Sequence, residues 1–407
     1  MIPISQIVLG SVMLLNIMTS SENFGSKNIE VFLEVRLPNE TPDEKIFIAG
    51  SSESIGNWKA DGFELSRIDS LTASCRFKIS RNEIFEYKIT RGSWQTVEKD
   101  KNGAEIQNRK FDPRGFAGKD TIEIKVDVAS WSDTAKPASH TLTGDIRFHE
   151  NFQSHILENS RTISVYLPPG YKNSRRRYRV LYMHDGQNIF DAATSFSGVE
   201  WGVDEACEQL ISEGKIEPII VVGINNNDKR VDEYTPAEST DPKREGGGKG
   251  VAYGKFIIEE LKPFIDRIYR TRSSRKNTFI MGSSLGGLIS LHLAWTRPDI
   301  FGNAGIVSPA LWWADSEILQ RIKKEPPPKP LPKLWIDMGT EEGNSHDSFK
   351  ECIEELSTLK SILKEKGWRE GRNLKAYLAE GQNHSERAWN SRIEIILEYF
   401  FKIPKNN

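Results

Sequence analysis

The stretch Thr278-Phe-Ile-Met-Gly282-Ser283-Ser284-Leu285-Gly286-Gly287-Leu-Ile-Ser-Leu-His-Leu-Ala-Trp295 decides the fold. It opens as a short uncharged run suited to a buried strand, passes through a G-x-S-x-G turn, and continues as an apolar segment of helical length. A strand that turns sharply into a helix crowds its neighbours against the backbone, so the reading places glycine at 282 and 286 for want of room. The same turn lifts Ser284 out as the candidate nucleophile. The N-terminal N–H groups of the following helix favour negative charge developing beside it.

Working outward, further buried-strand runs at 178–183, 219–224, 334–338 and 374–378 alternate with helical patterns. That alternation predicts a mostly parallel sheet with helices on both faces. Residues 349–366 carry a clear helical period, with Cys352 on the apolar stripe and Gly367 as the stop. A nucleophile on such an elbow expects its partners later in the chain, in the order acid then histidine, each beyond the end of a strand. His384, after the run 374–378, meets that demand as the general base. Glu342, in Gly339-Thr340-Glu341-Glu342-Gly343, is the first choice for the acid, with Glu341, Asp337 and Asp347 behind it and His346 a rival histidine. The acid would fix the imidazole tautomer and stabilise the imidazolium. An oxyanion hole needs the N–H of Leu285 and a second donor after an earlier central strand. His184-Asp185-Gly186-Gln187-Asn188 supplies it, through Gln187 or Gly186. His184 and Asp185 are expected to shape that loop, and His292, inside the elbow helix, to be structural.

The N-terminal part reads differently. Ile29, Val31, Leu33, Val35 and Leu37 alternate as one face of an extended strand, and short apolar runs separated by Gly, Asn, Asp and Ser follow to residue 128. Residues 28–128 are therefore expected to form a small all-β sandwich, and the polar segment 129–141 a linker to an α/β unit over 142–404. Residues 1–27 read as a signal peptide and leader, with an apolar core at 7–18 too short to span a bilayer, which predicts a secreted or periplasmic protein. No later run is long and apolar enough for a membrane span.

Composition narrows the function classes. With 55 Lys+Arg against 57 Asp+Glu, the net charge of −2 offers no field for nucleic acid. Three scattered cysteines give no disulfide framework, and seven dispersed histidines give no metal-ligand spacing, so no metal and no cofactor is expected.

Over 142–404 the chain resembles the esterase family of α/β-hydrolases, which includes enterochelin, feruloyl and acetyl-xylan esterases, esterase D and mycolyltransferases. The resemblance is carried by Val165-Tyr-Leu-Pro-Pro-Gly-Tyr171, Met183-His-Asp-Gly-Gln-Asn188, Asp232-Glu-Tyr-Thr-Pro236, Gly282 to Gly287, Ser308-Pro-Ala-Leu-Trp-Trp313, Gly339-Thr-Glu-Glu342 and Asn383-His384. It implies an α/β-hydrolase fold and places the family's acid on Glu342. The N-terminal part is similar to the starch-binding, family 20 carbohydrate-binding modules through Ile48-Ala-Gly-Ser-Ser-Glu-Ser-Ile-Gly56-Asn57-Trp58, Phe85-Glu-Tyr-Lys-Ile-Thr90 and Asn108-Arg109. That similarity implies an immunoglobulin-like sandwich and an α-glucan partner, with Trp58 and Asn108 as binding residues. Lys99 stands where the family has its second platform tryptophan, and Trp94 is the candidate in its place. The expected activity is that of a serine esterase acting through an acyl-enzyme on a small-molecule or glycan-linked ester, of acylated-carbohydrate or siderophore type. A carbohydrate-binding adaptor with an idle hydrolase unit and an acyltransferase using the same three residues are the rival readings.

Overall fold

A strand covered on both faces must be apolar at successive positions, as Ile219–Ile224 is throughout and Thr278–Ser284 is from Phe279 to Met281. In the computed structural model, which describes residues 28–101, 103, 105–116, 118–134, 139–241, 245–343 and 346–403, they lie inside an eight-stranded sheet. Its order is Asp145–Ser154, Asn159–Leu167, Ile219–Ile224, Arg179–His184, Thr278–Ser284, Asn303–Pro309, Lys333–Gly339, Leu374–Ala379. The first two strands run antiparallel and the remaining six are parallel to one another. Side chains of one strand divide between two cores: Val180, Tyr182 and Ile280 join the helices Leu285–Thr296 and Trp313–Lys324 on one face. Leu181, Met183, Phe279 and Met281 join Val203–Ser212 and Ile393–Phe401 on the other. The helix His346–Glu365 carries Leu356, Leu359, Ile362 and Leu363 into the first core, with Cys352 half-buried at its margin.

Strand order also positions the site. From Arg179–His184 the chain moves to Ile219–Ile224 on one side, then returns to Thr278–Ser284 on the other. Where winding reverses in this way, the loops leaving the two central strands part and open a crevice at their C-terminal ends. The loops after His184 and Ser284 flank that crevice.

The strand Asn303–Pro309 had no counterpart among the expected strands. Gly305 interrupts its apolar run, and the structure explains the glycine: a Cβ there would lie 2.6 Å from Met281 Cγ and Sδ. The elbow strand thus leaves no space for a side chain on its neighbour.

Toward the N-terminus, strands Asn28–Arg36, Ile46–Gly50, Phe63–Arg67, Thr72–Ser80, Phe85–Thr90, Arg109–Phe111 and Thr121–Asp127 form a seven-stranded run. The alternating face is the core face: Ile29, Val31, Leu33, Val35 and Leu37 are at most 3% exposed. The expected linker is corrected at its start. Ser130–Trp131 pairs with Glu98–Lys99, and Trp131 is fully buried in the β core with its Nε1 donating to Thr41 Oγ1 at 2.9 Å. An aromatic of that size inside a polar stretch gains more by covering the open end of the core than by staying in solvent. At its other end the same segment docks on the α/β part, His140 Nδ1 lying 2.7 Å from Asp191 Oδ2. The apolar stretch 7–18 lies outside the described residues. Among the described residues no helix is long and apolar enough to cross a membrane.

Candidate active site

Ser284 ends its strand and begins its helix with φ +57° and ψ −124°, a backbone that a side chain adopts only under constraint. The constraint is the glycine packing around it. A Cβ on Gly282 would meet Gly286 C and His184 Cδ2 at 2.9 Å, and one on Gly287 would meet Val307 O at 2.8 Å. Gly286 is less confined, its nearest contact being His184 Cβ at 3.3 Å. Gly287, not singled out from sequence, is thus as necessary as Gly282.

Glu342 is buried, 2% exposed, and each of its oxygens has a distinct task. Oε2 faces His384 Nδ1 at 2.8 Å. Oε1 accepts from Gly339 N–H at 2.6 Å and from Ser308 Oγ–H at 2.5 Å. Burial would raise this carboxyl, but the His384 charge and hydrogen bond, with the Ser308 and Gly339 donors, outweigh it and hold the carboxyl below its ordinary range. The neighbouring Glu341 is exposed. The side chains of His346 and Asp347 lie outside the described ones.

A second layer supports Glu342, and sequence reasoning missed it. Ser308, at φ +40°, accepts from Trp389 Nε1 at 3.1 Å and from Arg392 Nη2 at 2.6 Å while donating to Glu342. Arg392 Nη2 also donates to Asp337 Oδ1 at 3.0 Å, with both residues buried. Burial raises the Asp337 carboxyl and the Arg392 charge opposes that shift. Asp337, offered from sequence as a rival acid, is therefore the partner of Arg392 and of the Ser308 N–H, which lies 3.1 Å away. The Ser308 to Trp313 stretch was the one visible signal for Ser308, and nothing in the sequence marked Arg392.

Across the crevice, Gly186 and Gln187 start a single 3-10 turn after Asp185, itself at φ +55°. A Cβ on Gly186 would lie 2.6 Å from Gly223 C and Ile224 N, so the loop can approach the next strand only as glycine. Gln187 Oε1 accepts from Asn226 N–H at 3.1 Å, which fixes its side chain. Leu285 opens the elbow helix, where first-turn N–H groups have no intrahelical acceptor. Asp185 takes a two-pronged contact from Arg230, Nε at 2.7 Å and Nη2 at 2.8 Å. His184 Nδ1 lies 2.9 Å from Tyr253 OH, and burial pulls its imidazole down to about 3, so it stays neutral. His292 lies against Arg321 at 3.1 Å, and burial lowers it to about 4.

Ser284 and His384 line one cavity of about 470 Å³ together with Gln187, Arg230, Trp201 and Trp389, among others. The Trp389 ring stands edge-on to His384, with centroids 5.1 Å apart. Glu105 of the N-terminal part also lines the cavity, and its N–H donates to Ser197 O at 2.9 Å. Burial, then the nearby Glu105 carboxylate, push the Glu386 carboxyl on the same wall up to about 7. Of the residues proposed for carbohydrate, Trp58 and Trp94 come together with centroids 6.4 Å apart, both partly exposed. Asn108 is placed elsewhere: it donates to Glu86 and lines a small cleft with Asn383, His384 and Arg387. Lys99 is buried, so it presents no platform.

Residues 154–400 match the family model described as "Putative esterase". An endo-1,4-beta-xylanase/feruloyl esterase of Xylanibacter ruminicola is 26% identical over 62% of this chain and 31% of that protein. The ferri-bacillibactin esterase BesA of Bacillus subtilis is 29% identical over 35% of this chain and 52% of its own. Among solved structures, the enterobactin esterase FES of Shigella flexneri superposes with a TM-score of 0.54 at 12% identity, over 93% of this chain and 94% of the other.

Proposed function

The chain belongs to the esterase family and is an ester hydrolase, and from that premise we propose that it is a serine carboxylic ester hydrolase working through an acyl-enzyme on Ser284. The observation that carries this reading is the Glu342 Oε2 to His384 Nδ1 contact of 2.8 Å on the same cavity as Ser284. With Nδ1–H held by the carboxylate, His384 keeps Nε2 free to take the Ser284 proton as Oγ attacks the acyl carbon. The tetrahedral oxyanion is received by the N–H groups of Leu285 and of Gln187 or Gly186. The imidazolium then protonates the leaving alcohol. Water, deprotonated by the same histidine, releases the acid and restores the serine.

The substrate reading is a small acylated phenolic, carbohydrate or siderophore-type ester. Support comes from the names of the feruloyl and bacillibactin esterases and from the tryptophans 201 and 389 lining the cleft. We read 28–128, extended to Trp131, as a starch-binding-like immunoglobulin-type sandwich, supported by the Trp58–Trp94 pair, and 142–404 as the hydrolase unit of an exported protein. The test is hydrolysis of a short p-nitrophenyl ester, with fluorophosphonate labelling, by the wild type and by Ser284→Ala. Loss of both signals in the variant is expected, and equal rates in the two proteins would sink the mechanism.

A further inference from the structure

Charged carboxylates are rarely buried unless something compensates them. Glu200 and Asp204, 8% and 0% exposed, sit beside the partly buried Glu205 at the start of the helix Val203–Ser212. Each carboxylate is half satisfied, from the segment joining the two parts of the molecule. Thr141 Oγ1–H donates to Glu200 Oε1, Thr143 N–H to Asp204 Oδ2 at 2.7 Å, and Thr143 Oγ1–H to Glu205 Oε1 at 2.8 Å. The other oxygen of each, Glu200 Oε2, Asp204 Oδ1 and Glu205 Oε2, is shielded from solvent and has no hydrogen-bond partner. Among the described residues no lysine or arginine forms an ion pair with any of the three. The positive end of the helix offers roughly half a charge against three.

The spacing shows what would fit. One oxygen from each residue can be chosen so that all lie within 4.8 Å of one another. Two ligands of one ion at a calcium–oxygen distance of about 2.4 Å can be at most about 4.8 Å apart, so the spacing meets a condition that one ion shared by all three requires. The donors are all oxygen, with no imidazole or thiolate, which favours a hard cation over zinc.

We propose that Glu200, Asp204 and Glu205 hold one divalent cation of the calcium class, clamping segment 141–143 onto the helix that begins at Val203. The metal would be structural. Trp201, next to Glu200, packs at a 41° tilt against Trp389 with centroids 5.4 Å apart, so the clamp also steadies one wall of the cleft. The alternative is that protons do this work, since burial pushes Glu200 up to about 7, with the neighbouring Glu205 carboxyl adding to burial at Asp204.

The full chain, stripped with a chelator, is titrated with Tb³⁺ while tryptophan-sensitised emission is read, then with Ca²⁺ as competitor, and its melting temperature is taken with and without millimolar Ca²⁺. One saturable ion per chain, displaced by Ca²⁺, is expected, with melting raised by several degrees. Asp204→Asn and Glu205→Gln should each weaken binding by at least about tenfold. Glu205 is the less buried, so its variant keeps the test alive if Asp204→Asn does not fold. A wild type that binds no ion and melts unchanged in Ca²⁺ overturns the proposal. So does a Glu205→Gln protein that binds as tightly as the wild type.

Discussion

Replacing Glu342 by glutamine tests the proposed role of this residue most directly, because the structure dictates how the amide must sit. Gly339 N–H and Ser308 Oγ–H both point at Oε1, at 2.6 and 2.5 Å. An amide oxygen there keeps both bonds. Turning the amide round would set its NH₂ against two donors, at about 1–3 kcal/mol for each buried mismatch. The glutamine therefore presents its NH₂ to His384, 2.8 Å away in the parent contact. Nδ1 must become the acceptor, Nε2 must carry the proton, and a protonated Nε2 cannot take another from Ser284. With the carboxylate's support for the imidazolium also gone, kcat should fall about 10³–10⁴-fold, or ~4–5.5 kcal/mol, with KM little changed. Steady-state hydrolysis of p-nitrophenyl acetate measures both constants, and circular dichroism checks the fold. Glu341→Gln, on the exposed neighbour, should behave as wild type. A Glu342→Gln enzyme within about tenfold of wild type would refute the tautomer argument and the choice of acid with it.

Other consequences are open to measurement. Gly287→Ala places a methyl 2.8 Å from Val307 O and 3.1 Å from Pro309 Cα, both backbone, so urea denaturation should show a loss of about 1–3 kcal/mol. Gly115→Ala meets nothing within 4 Å and should be silent in the same assay. The folded Glu342 carboxyl is held below the ordinary glutamate value, so the stability it adds is complete above that ordinary value and disappears as pH falls through the lower folded one. Between pH 6 and pH 3 the wild type should lose more unfolding free energy than Glu342→Gln, and parallel losses would count against the contact. Trp58→Ala and Trp94→Ala should each reduce retardation in starch-containing gels by about tenfold while leaving ester hydrolysis intact, and an unretarded wild type would dismiss the platform.

The parts of the fold legible in the sequence were those where one strand or helix announces itself. The parallel strands are buried on both faces and read as apolar runs, and the alternation from Ile29 to Leu37 reads as one covered face. Ser284, Glu342 and His384 could be nominated from sequence because each is expected at or beyond the end of a strand in a fixed chain order, and the structure brings Glu342 against His384, though the shape of the loop that aims Glu342 inward could not be read from spacing. The roles of Ser308 and Arg392 were not found, since their contact joins positions 84 apart and Arg392 carries no local pattern. Trp131 was assigned to a linker because its neighbours are polar. Only the pairing of Ser130–Trp131 with Glu98–Lys99 and the burial of Trp131 in the β core show that it has somewhere to go.

The N–H of Glu105 bound to Ser197, and its side chain on the cleft, have a consequence for inheritance. The region that matches the family, 154–400, contains Ser284 and His384, yet Glu105, which lines the same cavity, lies before it. A shortened protein starting at 139 would retain Ser284, Glu342 and His384, the groups proposed to react, and acquire a wider, less acidic mouth. Its selectivity among esters would then differ from that of the whole chain even at equal intrinsic reactivity. Under the proposed function, substrate preference would then depend on both parts of the chain, and exchanging the first would retune the second without touching it.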